Sequence, residues 1–247
     1  MKKKNKGLSI SIIALIFVLI IGGFLAYGYY QKYTYKIKRP IVSMEIKDYG
    51  VVKIELYPDV APNTVKTFIK LINDNYYNGL TIHRVEENLL QGGQRKDEPK
   101  ISIDGEFTKN NYQNDMKFER GTLGLARQDY TYFSSMDPTI IKKGYNSGYA
   151  QFFIMTQKEE YFDGYYTAFG KVIEGMEIVD KITKTETKVE KNKETGEDIK
   201  TSSPVNEPII SKMSVDTFGI DYGIPKTHEA FDINSWFIDK YQRMNNN

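Results

Sequence analysis

The chain has 247 residues, enough for one domain of ordinary size with appendages. Hydrophobic residues make up 40% and charged residues 27%, a balance that supports a packed core and excludes a disordered or fibrous chain. The net charge of +2 leaves no basic footprint for nucleic acid, and the absence of cysteine removes disulfides, thiolate metal sites and cysteine nucleophiles.

Lys2, Lys3, Lys4 and Lys6 form a basic tail over residues 1–7, ahead of an uncharged run from Leu8 to Tyr29 rich in Ile, Leu, Val and Phe. A helix of roughly 20 such residues can span a bilayer, so 8–29 reads as a transmembrane anchor. It is longer than the usual apolar core of about 7–15 residues in a cleaved signal, although Ala26 and Gly28 keep a cleaved signal as the alternative. Lys32, Lys36, Lys38 and Arg39 lie just beyond it, in a linker over 30–40. Long C-terminal domains translocate largely regardless of such charges. The expectation is therefore a single-pass protein of the cell membrane, with its N-terminus cytoplasmic and its domain extracytoplasmic.

After Pro40, apolar residues alternate at Val42, Met44 and Ile46 and again at Val52, Ile54 and Leu56, with Asp48-Tyr49-Gly50 between them. This predicts a β-hairpin. Val65, Phe68, Ile69 and Ile72 follow at helical spacing, with Pro62 in the first turn. Short apolar runs at Thr81–Val85, Leu89–Gln91, Gly121–Ala126, Gln151–Thr156 and Ala168–Val172 favour a sandwich or barrel. A second helix fits Met176–Ile182 and a last strand Ile209–Val215. The polar stretch over 184–208 reads as a solvated insertion with hairpin character. Residues 217–247 form a C-terminal extension in which Ala230, Ile233, Phe237, Ile238 and Tyr241 make one helical face near the only tryptophan, Trp236. That face packs back onto the domain or takes a partner.

Three segments carry chemistry: His83-Arg84-Val85 leading into Gln91-Gly92-Gly93, Gly121-Thr122-Leu123-Gly124-Leu125-Ala126-Arg127, and Gln151-Phe152-Phe153-Ile154. With Phe162-Asp163-Gly164 and Phe169-Gly170-Lys171-Val172 downstream and Ala61-Pro62-Asn63-Thr64-Val65 upstream, their order and spacing closely resemble the cyclophilin family over residues 41–216. The resemblance implies a mainly β fold, an eight-stranded antiparallel barrel capped by two helices with a substrate groove on its outer face. It also implies a peptidyl-prolyl cis-trans isomerase that turns X–Pro bonds without cofactor or metal.

By that resemblance Arg84 is the catalytic donor, Gln91 buttresses it and contacts substrate, and Gln151 holds the peptide backbone. Phe153, Leu89 and Phe162 line the proline pocket, and Ala126 and Arg127 pair with the bound peptide. Tyr161 stands where many members have Trp, which implies weak cyclosporin binding. Tyr166 replaces a frequent His of the pocket wall and is carried over as a contact. The implied partners are proline-containing segments of exported proteins and the membrane that holds the N-terminal helix.

The segment from Arg84 to Gln91 is one residue shorter than the common pattern, and Glu86-Glu87-Asn88-Leu89-Leu90 lacks the usual aromatic. This keeps open the alternative of a catalytically weak, membrane-tethered peptide-binding module. The two histidines, His83 and His228, have no hydrolase or zinc motif around them.

Overall fold

Alternating side chains make the first hairpin of the barrel. In the computed structural model, which describes residues 6–34, 38–193 and 195–245, β1 (Ile41–Ile46) and β2 (Gly50–Leu56) pair in register with Met44 opposite Val52. Val42, Met44, Ile46, Val52, Ile54 and Leu56 all point to the core, as a period of two requires. The chain divides into two units, Met1–Lys38 and Arg39–Asn247.

The first unit contains α1 (Lys6–Thr34), with side chains described for residues 15–29. Among the described residues no helix is long and apolar enough to cross a membrane. The expected span of 8–29 is thus not found in the described part, and its first seven side chains lie outside it.

In the second unit the hairpin is followed by α2 (Pro62–Asn73), β3 (Ile82–Val85), β4 (Leu89–Gly92), β5 (Ile101–Ser102) and β6 (Thr122–Leu125). Next come α3 (Ile140–Tyr145), β7 (Phe152–Met155), β8 (Thr167–Glu174) and α4 (Met176–Thr183). The chain then forms β9 (Thr187–Lys191), β10 (Asp198–Pro204), β11 (Ile210–Asp216), β12 (His228–Glu229) and α5 (Ile233–Asn245). Eight strands make one antiparallel sheet in the order β11-β1-β2-β8-β6-β7-β4-β3. Its two ends meet at a bridge between Thr81 and Ile209, where Ile82 N donates to Pro208 O at 2.9 Å and Ile210 N to Leu80 O at 2.8 Å. The two end strands of the main sheet are thereby joined, which shortens its open edges.

Helix α2 starts at Pro62, whose fixed φ suits a first turn. It buries Val65, Phe68, Ile69, Leu71 and Ile72. Phe68 meets Phe152 edge-on at 5.7 Å and Phe169 at 5.2 Å, contacts worth about 0.5–1.5 kcal/mol each beyond area burial. Phe152 is therefore core, whereas its neighbour Phe153 faces the other way, toward the groove.

The expected insertion is a hairpin, β9 with β10. The extension returns to the domain: β12 pairs with β5, and α5 docks on the loop between β6 and α3. The docking face differs from the expected one. Ile233, Trp236, Phe237 and Lys240 are half-buried, whereas Ile238 and Tyr241 are 58% and 69% exposed. The aromatic loop decides this, because Phe133 offers its ring to Phe237 at 4.8 Å and to Trp236 at 6.4 Å.

Candidate active site

Arg84 and Gln91 are cross-strand partners on β3 and β4, and Gln91 in turn faces Phe153 on β7. Adjacent strands thus bring together residues separated by up to 69 positions in sequence. Arg84 Nη1 donates to Gln91 Oε1 at 3.0 Å, Gln91 Nε2 to Gln151 Oε1 at 3.0 Å, and Gln151 Nε2 to Glu98 Oε1 at 2.9 Å. Each glutamine accepts on its oxygen and donates from its nitrogen, so the line polarises in one direction and fixes its own geometry.

Glu86 completes the hold on the arginine. Its Oε1 accepts from Arg84 Nε at 2.8 Å and from Nη2 at 2.6 Å. Three of the five guanidinium N–H groups are engaged this way, which leaves two without a partner among the described residues. The Arg84 side chain is 43% exposed, so those donors face the groove and solvent.

Arg84, Leu89, Gln91, Phe153, Phe162 and Tyr166 line one end of a groove of about 520 Å³. The apolar wall is rigid. Phe153 stacks on Phe118 at 5.6 Å and meets Phe162 at 5.6 Å and Tyr166 at 5.8 Å, both edge-on. Gly124 makes this possible, because a Cβ there would lie 2.2 Å from the Phe153 ring. The Tyr166 phenol is pushed up, chiefly by burial, so it stays protonated.

Ala126 and Arg127 border the groove, and some of their donors are already engaged. Ala126 N donates to Gln151 O at 2.9 Å. Arg127 Nε donates to Tyr165 O and Nη1 to Gln128 O, both at 2.9 Å, while the guanidinium covers the Tyr166 ring at 4.4 Å. Arg127 thus steadies the pocket wall.

Tyr161 is 71% exposed, is not among the residues that line the groove, and stacks on Tyr165 at 5.9 Å. The 3₁₀ turn over Glu160–Phe162 sends successive side chains in different directions, so Phe162 points inward and Tyr161 outward.

Two residues of the site escape sequence reasoning. Phe118 precedes Gly121 with no periodic pattern around it. Glu86 is visible only as an acid two places from Arg84, the spacing that puts side chains on one face of an extended segment. His83, beside Arg84, is held below its ordinary value of 6.5, chiefly by burial, and its Nδ1 has no partner among the described residues. Among the described residues no three His, Asp or Glu side chains gather as metal ligands would.

The site is thus an arginine on the rim of a small apolar pocket, carried by an eight-stranded antiparallel sheet. The family model for cyclophilin-type peptidyl-prolyl cis-trans isomerases matches residues 41–213. The chain is 36% identical over 160 residues to a probable peptidyl-prolyl cis-trans isomerase of Brucella suis biovar 1 (strain 1330), covering 58% of this chain and 71% of that one. It is 33% identical over 138 residues to peptidyl-prolyl cis-trans isomerase B of Bacillus subtilis (strain 168), covering 54% and 83%. The fold is similar to that of a Cryptosporidium parvum cyclophilin-type isomerase crystallised in the presence of the dipeptide Ala-Pro. There the TM-score is 0.52 and the identity 23%, with coverage of 71% of this chain and 98% of that one. The chain belongs to the cyclophilin-type peptidyl-prolyl cis-trans isomerase family.

Proposed function

We propose that this chain accelerates cis/trans rotation about X–Pro bonds in exported or unfolded proteins. The observation that carries the reading is the Arg84 guanidinium, clamped by Gln91 and Glu86, on the rim of a pocket walled by Phe153, Leu89 and Phe162. A pyrrolidine ring fits such a rigid apolar wall.

Uncatalysed rotation faces a barrier of about 18–20 kcal/mol, because amide conjugation is lost in the twisted state. The proline nitrogen then carries a localised lone pair and becomes a hydrogen-bond acceptor. An unengaged N–H of Arg84 donates to it, an interaction that neither planar isomer offers, and stronger binding of the twisted state lowers the barrier. No covalent bond forms or breaks. Gln151 and the backbone at Arg127, beyond the end of β6, hold the flanking peptide while the ring stays in its pocket.

The test is cis/trans exchange in a proline peptide with the full chain in detergent, beside a folded Arg84→Ala chain. Acceleration that falls sharply in the variant supports the reading. Peptide binding without acceleration would replace it with a tethered peptide-binding module.

We further propose that residues 8–29 anchor the chain in the cell membrane with the domain on the extracytoplasmic side, supported by the uncharged apolar run and the lysines ahead of it. Fractionation and protease protection in intact cells test this: carbonate-extractable or fully protected protein would refute it. Weak cyclosporin binding is expected from Tyr161 standing where many family members have Trp, and a submicromolar affinity would refute that.

A further inference from the structure

The groove that holds Arg84 continues past Gln151 to a second end, and part of that end comes from the C-terminal extension. Ala230 and Phe231 line it together with Tyr130, Tyr149, Ile101 and Ser102. The extension is pinned on both sides of Phe231. Upstream, Asn63 Oδ1 accepts from Lys226 N at 2.7 Å and Asn63 Nδ2 donates to Lys226 O at 2.9 Å. His228 and Glu229 pair with Ser102 and Ile101, and Ala230 N donates to Lys100 O at 3.0 Å. Downstream, Phe237 of α5 sits on Phe133 and Lys240 binds Asp137 at 3.1 Å. Phe231 is therefore placed by its neighbours and not by a loose tail.

Its surroundings suit one kind of guest. The Phe231 ring meets Tyr130 at 5.7 Å and has the Lys143 ammonium 5.6 Å from its centre. Tyr149 and Ile101 are half-buried, and the small Ser102 is buried. Aromatic walls around a small residue make a cleft that gains most from a flat or bulky apolar side chain.

We propose that this second end is a specificity subsite for an aromatic or bulky apolar residue flanking the proline, with Phe231 as its determinant. The extension over 217–245 is then part of the substrate site. The inference rests on the reading that the Arg84 end receives the proline, and the groove joins the two ends without a break.

The experiment uses the full chain and proline peptides in which each of the three positions on either side of proline is in turn Phe or Gly. Two readouts are taken, kcat/KM for isomerisation and affinity by fluorescence anisotropy. The second decides the subsite even if turnover is absent, so failure of the isomerase reading and failure of the subsite are distinguishable. At one position the native chain prefers Phe over Gly by about tenfold, the low end of what an apolar pocket discriminates. In Phe231→Ala that ratio falls toward one. Trp236 fluorescence reports whether α5 stays docked. If it shifts in Phe231→Ala, the decision passes to Phe231→Leu, which keeps an apolar contact and must give an intermediate ratio. A native chain with no preference at any position overturns the proposal, as does a native ratio that survives in the deciding variant.

Discussion

Ser202 Oγ, on the insertion hairpin, donates at 3.0 Å to Glu86 Oε1, the same oxygen that receives Nε and Nη2 of Arg84. The insertion thereby reaches Arg84, the proposed catalytic donor, through one carboxylate. Replacing Glu86 by Ala frees the guanidinium to rotate, and kcat/KM is expected to fall about tenfold, the size of one hydrogen bond to a charged group at about 1.5 kcal/mol. Ser202→Ala should lower it less, and in kcat more than in KM. Steady-state kinetics on one proline peptide checks both, and an unchanged Glu86→Ala chain would remove Glu86 from the machinery.

Gly124 touches the Phe153 ring. A methyl there would stand 2.2 Å from one ring carbon and 2.7 Å from Phe118. Gly124→Ala must push Phe153 into the pocket, at a cost of about 1–3 kcal/mol for overpacking. Chemical denaturation should give a lower midpoint, and KM should rise at temperatures where the variant is folded.

Burial holds the His83 imidazole below its ordinary 6.5, with nearby Glu207 opposing the shift in part. The unfolded chain therefore takes up the proton first. Stability present above about pH 6.5 is lost as the pH falls toward and through the lowered folded value. Melting temperatures of the native chain should drop between pH 7.5 and 5, and the drop should shrink in His83→Gln.

Asp137 loses stability in the same direction but at lower pH, and it holds α5. Its carboxylate accepts from Thr139 Oγ1 at 2.7 Å and Thr139 N at 3.0 Å and pairs with Lys240, and it is pushed down to about 2, chiefly by the Thr139 hydroxyl. A lowered acid contributes stability that is present above its ordinary 3.8 and is lost as the pH falls through about 2. Trp236 is the chain's only tryptophan, so its fluorescence should report loosening of α5 over that window. Asp137→Asn should show the loosened signal already at neutral pH.

Much of the barrel is legible before folding. The alternation at 42–46 and 52–56 and the helical spacing from Val65 to Ile72 each name an element and its buried face, because periods of two and 3.6 are local properties of the backbone. The motif order likewise placed Arg84, Gln91, Gln151 and Phe153 near one another. Glu86 and Phe118 were not legible, since the first needs the path of a shortened turn and the second fills a gap visible only once β6 and β7 pair.

By itself, then, the amino-acid sequence determined the eight strands of the main sheet, helices α2 and α4, the family and the four residues around which the candidate site is built. Only the tertiary structure decided that Tyr161 faces out, that the insertion grips Glu86, and that Phe231 enters the groove from the far end of the chain. The reason is physical: periodicity records which face of an element is apolar, whereas the meeting of loops depends on where long-range pairing carries the backbone.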